Sequence, residues 1–351
     1  MKRSKTTLMN NKKKSLLQTM VPFGVGFLML IVLLSASFSL FVWVSKKQGY
    51  QQQSLYSEID RVPLENQFPV SVNAYTKEIY LNPTTEGFLS NHVASANSAY
   101  IPYGWFDKLT GKLALSSIYQ NFASLSTRMV VIQSGERKEE VARNFGKILG
   151  WSPEEKVIFL SQVASSSPEL GEGKFYPGRY TVSKDISPEE MAALVHERFS
   201  QEILGRYGDE VTANVALEDA LIIASLLERE AYDFNDMRHI AGVIWNRLFA
   251  GMRLQLDASL QYARGSSSQK TWWPKVVPDD KYITSPFNTY AHEGLPPSPI
   301  ANPSAVSVLA ALNPIKTDCM FYFHDKRGKF YCTETYDEHV ALLKKVYGRG
   351  K

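Results

Sequence analysis

The 351-residue sequence predicts an α+β protein carried on a single amino-terminal transmembrane helix. Three observations predict it. A charge-free run from Val21 to Val44 follows a basic arm. Further on, a β-branched strand alternates with helices opened by capping boxes. Beyond residue 205, long apolar helices give way to a proline-rich loop and an aromatic hairpin. The length exceeds what one hydrophobic core usually holds, so more than one unit is expected.

Residues 1–19 carry Lys2, Arg3, Lys5, Lys12, Lys13 and Lys14 and no acid. The formal net charge is +4, and without this arm the remainder is slightly acidic, so the basic balance does not point to nucleic acid. As a helix, VPFGVGFLMLIVLLSASFSLFVWV would reach about 36 Å, enough for a hydrocarbon layer of roughly 30 Å. A cleavable signal peptide has a shorter apolar region, so residues 20–45 read as a retained anchor. The basic flank keeps the amino terminus in the cytoplasm and places everything after Val44 outside. Residues 46–128 hold a polar juxtamembrane linker, SKKQGYQQQS. Two strand-like pieces, VSVNAY and EIYLN, and turn signals in PYGWFDKLTGKLAL follow, with no assignable fold.

Residues 129–205 read as a small strand–helix subdomain. The strand Met129 to Gln133 meets a Ser-Gly turn, then a helix with Val141, Phe145, Ile148 and Leu149 on one side. Ser152-Pro153-Glu154-Glu155 and Ser187-Pro188-Glu189-Glu190 each open a helix as a capping box with proline at the first turn. Between them, GEGKFYPGRYTV (171–182) reads as a glycine- and aromatic-rich connector. Residues 206–351 begin with a helix from roughly Val215 to Glu230. A second follows from Asp236 to Ala250, with Met237, Ile240, Ala241, Ile244 and Leu248 at helical spacing and Gly251 placed to end it. A long loop, a short helix from Ser304 to Leu312, a hairpin and a final helix from about Asp337 complete the chain. Cys319 and Cys332 flank MFYFHDKRGKFY, which turns at His324 to Gly328. A cross-strand disulfide and two reduced thiols are both open.

The helix ending in ASLLEREA is apolar nearly all round, as buried helices are, yet it delivers Glu228, Arg229 and Glu230. Residues two apart on a helix point about 200° apart, so only one of the two acids faces a given cleft. The bland alternative is a pair of surface charges at a helix end. Against it stand the burial and the residues that follow: Asn246, Gln255, Asp257, Trp272, Trp273, Asn288 and Tyr290. A carboxyl group among apolar neighbours keeps its proton near neutral pH and can donate it. Flat aromatic faces with amide and carboxylate tips suit a sugar, which offers C–H faces and hydroxyl edges. Trp272 and Trp273 are candidates for stacking, with burial that pins their loop as the equal alternative.

Competing chemistries find less support. His92, His196, His239, His292, His324 and His339 never fall in a zinc-helix spacing and read as surface or helix-end residues. There is no glycine-rich phosphate loop and no G-x-S-x-G elbow. No metal or cofactor is expected.

ASLLEREA, HIAGVIWNRLFAGMRLQLDASLQYARG and SPFNTYAHEGLPPSPIANPS, in this order, resemble the catalytic core of the endolytic murein transglycosylases, the YceG-like family. The resemblance spans about residues 129–347 and takes in GEGKFYPGRY and ETYDEHV. It implies a membrane-anchored lytic enzyme that cuts nascent peptidoglycan between N-acetylmuramic acid and N-acetylglucosamine and leaves a 1,6-anhydro end. The family's catalytic glutamate, the second acid of an E-x-E motif, falls on Glu230. Gln255, Asp257, Asn288 and Tyr290 match positions that look like groove-lining residues, and Asn246 and Arg247 lie in the N-R-L string. Glu228 takes a supporting role, with Arg247 or Arg253 as its partner. Asp257 is given a hydrogen-bonding role because it also sits where it caps the turn that follows, with stabilisation of positive charge as the alternative. A LysM-like module usually precedes the catalytic part, and 129–205 is the candidate for it, with 206–351 as the catalytic domain. The connector departs from the family, which more often has an acid after its proline. Implied partners are glycan strands, the cytoplasmic membrane and the wall synthases, and a non-catalytic wall-binding scaffold is the rival reading.

Overall fold

The computed structural model describes residues 67–92, 127–165, 172–265 and 271–348. The expected tail (1–19), the span (20–45) and most of 46–128 lie outside the described residues. Among those described, no helix is long and apolar enough to cross a membrane.

The first described piece is a short antiparallel pair, β1 (Val72–Asn73) with β2 (Glu78–Ile79), followed by α1 (Pro83–His92). The two strands fall within VSVNAY and EIYLN, the strand-like pieces of a stretch whose fold the sequence left unassigned, and α1 lies further along it. Phe68, Val70, Val72, Ile79 and Leu89 are buried in the same core as the helices after residue 205. The backbone follows suit: Ser71 N–H donates to Leu312 O at 3.0 Å, and Phe68 N–H to Arg206 O at 2.8 Å.

A separate core forms around β3 (Thr127–Ile132), α2 (Lys138–Leu149), α3 (Pro153–Ser165), β4 (Gly178–Ser183) and α4 (Pro188–Glu202). Val141 and Phe145 of α2 are buried in it, and Ile148 and Leu149 pack against it. Both capping boxes close. Ser152 Oγ accepts from Glu155 N–H at 3.2 Å while Glu155 Oε2 accepts from Ser152 N–H at 2.7 Å, and Ser187 with Glu190 repeats the exchange. The connector reading of 171–182 needs correction, because its second half is β4. Tyr180 and Val182 point inward while Arg179 and Thr181 face solvent, and Val130 pairs with Tyr180 across the ladder.

The second core is built by α5 (Asp209–Asn214), α6 (Leu217–Glu230), α7 (Phe234–Phe249) and, after α8 (Asp257–Arg264), by α9 (Ala305–Leu312). The helices α6, α7 and α9 pack on one another. Every residue from Ala220 to Leu227 is buried, which explains the unbroken apolar run. The chain ends with β5 (Phe321–His324), β6 (Phe330–Thr333) and α10 (Tyr336–Tyr347). Cys319 and Cys332 form a disulfide across this hairpin, with Cα atoms 5.7 Å apart, so the open alternative of two thiols is removed.

Asn302 joins the two cores. Its backbone accepts from Gly135 N–H at 2.9 Å and donates to Glu136 O at 2.9 Å, and its side-chain oxygen accepts from Phe175 N–H at 3.0 Å. Nearby, Gly173 has φ +87°, and a Cβ there would lie 2.8 Å from the Pro299 ring, so the GEGKFYPGRY segment requires glycine at that point.

Candidate active site

The last residue of α6 is Glu230, and its carboxylate meets two other elements. Oε1 accepts from Ala258 N–H at 3.2 Å, in the first turn of α8, where an amide has no partner within its own helix. Oε2 accepts from the Tyr322 hydroxyl at 3.3 Å, on β5. The residue as a whole is half-buried. Burial raises the pKa of Glu230 above the ordinary glutamate value. The Ala258 N–H, the Tyr322 hydroxyl and His324 pull it down, and the Asp257 charge pushes it up, but burial outweighs them.

Glu228 points away, as the helical angle requires. Its Oε1 accepts from Ser304 N–H at 3.0 Å and from Ser304 Oγ at 2.7 Å, at the N-cap of α9. The expected pairing with Arg247 or Arg253 is therefore corrected: a carboxylate at a helix start satisfies orphan amides and suits the helix dipole. Arg229 between them lies over Trp273, 3.8 Å from the ring centroid.

On the other wall, the backbone of Gln255 adopts φ +52°, unusual for a residue with a side chain, and its N–H donates to Thr289 O at 3.0 Å. Leu256 N–H donates to Thr289 Oγ1 at 3.0 Å, and the Ser259 and Thr289 hydroxyls meet at 2.8 Å. The Asn-Thr-Tyr loop is thus clasped to the start of α8. This leaves Gln255 and Asp257 exposed and brings the Tyr290 hydroxyl to Asp257 Oδ1 at 2.7 Å. Asp257 does not cap α8, which was the ground for its expected hydrogen-bonding role: Leu256 is the N-cap, and the Asp257 carboxylate accepts instead from Tyr290. Burial, followed by the Asp257 bond, pushes the Tyr290 phenol above its ordinary pKa, so it donates and does not ionise.

Asn288, expected to line the groove, and Asn246 and Arg247, expected to support it or bind substrate, make hydrogen bonds that hold the frame. Asn288 is fully buried, donating to Lys281 O and Ile283 O at 3.1 and 2.9 Å and accepting from Tyr290 N–H at 2.9 Å. Asn246 donates to Thr317 O and Cys319 O at 2.7 and 3.1 Å. Arg247 donates to Met320 O and Leu254 O, both at 2.6 Å, and so fixes the hairpin and the Gln255 loop from one guanidinium. Their amide and guanidinium donors are engaged by backbone carbonyls, where an exposed groove side chain would face ligand. Trp272 and Trp273 are half-buried. Trp273 Nε1 donates to Glu140 at 3.0 Å, and arginines cover both rings: Arg229 over Trp273, Arg137 and Arg143 over Trp272.

Two participants went unnoticed in the sequence. Tyr322 touches Glu230. His324, read as a surface histidine, is largely buried and pairs with Asp236 at 2.9 Å to both oxygens. Alternation along FYFH puts both on one face, but nothing local says which helix that face meets.

The YceG-like family matches residues 73–345. The chain is similar to the endolytic murein transglycosylase of Bacillus subtilis, 35% identical over 176 residues that cover 50% of this chain and 47% of that protein. That of Streptococcus pneumoniae serotype 2 is 26% identical over 236 residues, covering 60% and 43%. The chain thus spans less than half the length of these curated relatives. A crystal structure of a yceG-like protein from Listeria monocytogenes superposes with a TM-score of 0.54 at 29% identity, covering 61% of this chain and 75% of that one. With the family match extending over most of the sequence, the chain belongs to the YceG-like family.

Proposed function

We propose that this protein is a membrane-anchored endolytic transglycosylase of peptidoglycan in which Glu230 is both acid and base. The observation that carries the reading is a half-buried glutamate whose carboxyl pKa is raised by burial, with two hydrogen-bond donors aimed at it. Protonated Glu230 donates to the bridging oxygen as an oxocarbenium-like transition state forms. The resulting carboxylate accepts the proton of the C6 hydroxyl as that oxygen attacks C1, closing the 1,6-anhydro ring. Ala258 N–H and Tyr322 O–H hold the carboxylate during its charged interval. Asp257 and Tyr290 flank it, with Asp257 bringing negative charge toward the developing positive one, and Gln255 offers an exposed amide at the edge.

The substrate follows from the name the curated relatives carry, and the cut between N-acetylmuramic acid and N-acetylglucosamine from the family resemblance. The anchored, exterior placement rests on the basic tail and the charge-free run Val21 to Val44, and a disulfide suits an oxidising compartment. Wall synthases are partners of this reading through the family resemblance alone. The test is Glu230→Gln in the full-length chain: the thermal midpoint is retained and strand cleavage falls on the order of 10² to 10⁴-fold. A variant that cleaves at the wild-type rate ends the assignment.

A further inference from the structure

We infer that Tyr322 is a positioning residue for the acid–base cycle, its hydroxyl steering Glu230 between the protonated and charged forms; this rests on the proposed role of Glu230. The cycle asks one carboxyl group to give up a proton and shortly take another. Burial alone favours the neutral form, so a site built from burial alone would hold the proton too firmly. Charge on the carboxylate has to be met by donors, and two are present. The Ala258 amide is fixed in a helix turn and serves Oε1. The Tyr322 hydroxyl serves Oε2, and unlike an amide it rotates. It can donate to the carboxylate and turn aside when Glu230 carries its own proton. Burial and the Glu230 charge raise the phenol well above its ordinary pKa, so it stays protonated and acts through a hydrogen bond alone.

Packing does not account for the hydroxyl. The Tyr322 ring stacks on Phe330 at 5.8 Å, a contact that phenylalanine would make equally well, while the oxygen meets Glu230. The strand that carries it is held on several sides. Tyr322 pairs directly with Cys332, one half of the disulfide. Two residues further on the same face, His324 is fastened to Asp236 of α7, and just before it Met320 O accepts from Arg247. On the opposite face, Phe321 and Phe323 pack on Tyr336, His339 and Tyr347 of α10. The hairpin therefore delivers the phenol to the carboxylate as a rigid part.

The charged and titratable groups facing this pair are Asp257 of α8, Tyr290 of the Asn-Thr-Tyr loop, Asp236 and Arg247 of α7, and His324 of β5. A change confined to Tyr322 leaves all of them in place.

The experiment follows the release of anhydro ends from isolated glycan strands against pH, using the full-length chain in detergent micelles. Wild type, Tyr322→Phe, Glu230→Gln and a chain with 3,5-difluorotyrosine at 322 are compared. Tyr322→Phe is expected to keep its thermal midpoint and KM and to lose roughly tenfold in kcat, the effect of one hydrogen bond to a charged group. The alkaline limb of its kcat profile moves up by about one pH unit. The fluorinated phenol, a stronger donor with the same shape, moves that limb down, and it decides the matter if the phenylalanine variant does not fold. A limb that stays in place in the folded variants overturns the role of Tyr322. Undiminished cleavage by Glu230→Gln instead removes the reading of Glu230 on which it rests.

Discussion

Glu228 and Glu230 are the same residue type, two positions apart, and the fold gives them opposite environments. Glu228 ties Ser304 at the start of α9, and Glu230 meets one amide and one phenol from two other elements. The angle between successive helical residues made the division legible in the sequence, and the apolar run made the burial legible. The partners were not, since Ser304 and Tyr322 are far away in the chain and no periodicity points to them. Replacing Glu228 by alanine leaves the α9 cap unsupported and is expected to lower stability by about 1 to 3 kcal/mol, read as a denaturant midpoint. An unchanged midpoint would show that Ser304 needs no partner.

At the level of elements, what the sequence revealed was local. Both capping boxes, the long helices and the hairpin turn follow from residues within a few positions of each other, and each was found close to its observed place. β4 escaped notice because its partner β3 lies far upstream and Pro177 and Gly178 resemble a loop. In the segment 68–89 the strand-like pieces VSVNAY and EIYLN do carry β1 and β2, but their place in the fold was opaque, because it is set by Leu312 and Arg206, which come much later. The terminal hairpin carries Tyr322 and is closed by Cys319–Cys332, so its geometry and the site are linked. Cys319→Ser with Cys332→Ser is expected to cost roughly 2 to 3 kcal/mol in stability, measured by thermal unfolding against the oxidised parent. Equal midpoints would mean that α10 and Arg247 hold the strand unaided.

On the scale of the whole molecule, two cores meet along a seam that runs close to the site. Arg137 of the first reaches Tyr262 O and Gly265 O of the second at 3.1 and 3.3 Å, its guanidinium lying 4.0 Å from the Tyr262 ring centroid. Glu172 is fully buried beside them and accepts from Lys138 N–H at 2.8 Å. Burial, with the nearby Glu139 charge, pushes its pKa from 4.5 up to about 8. The folded protein then holds a proton that the unfolded chain has released, so this contribution is complete below the unfolded value and is lost as pH rises through the folded one. Relative to Glu172→Gln, the wild type is expected to lose about 1.4 kcal/mol per pH unit across that window. Parallel stability curves for the two proteins would contradict a buried, protonated Glu172. The tryptophan loop belongs to the same seam, with Trp273 between Glu140 and Arg229 and Trp272 beneath Arg137 and Arg143.

The central claim is that one glutamate, without a second catalytic carboxylate, cuts a glycan strand by ring closure. Mass analysis of the fragments released from purified strands by the wild-type chain and by Glu230→Gln tests it most directly. Wild type is predicted to leave 1,6-anhydro ends, with the variant's strands intact. Reducing ends in the wild-type digest would mean hydrolysis by water, and strands that stay uncut while sedimenting with the wild-type protein would mean a binding scaffold.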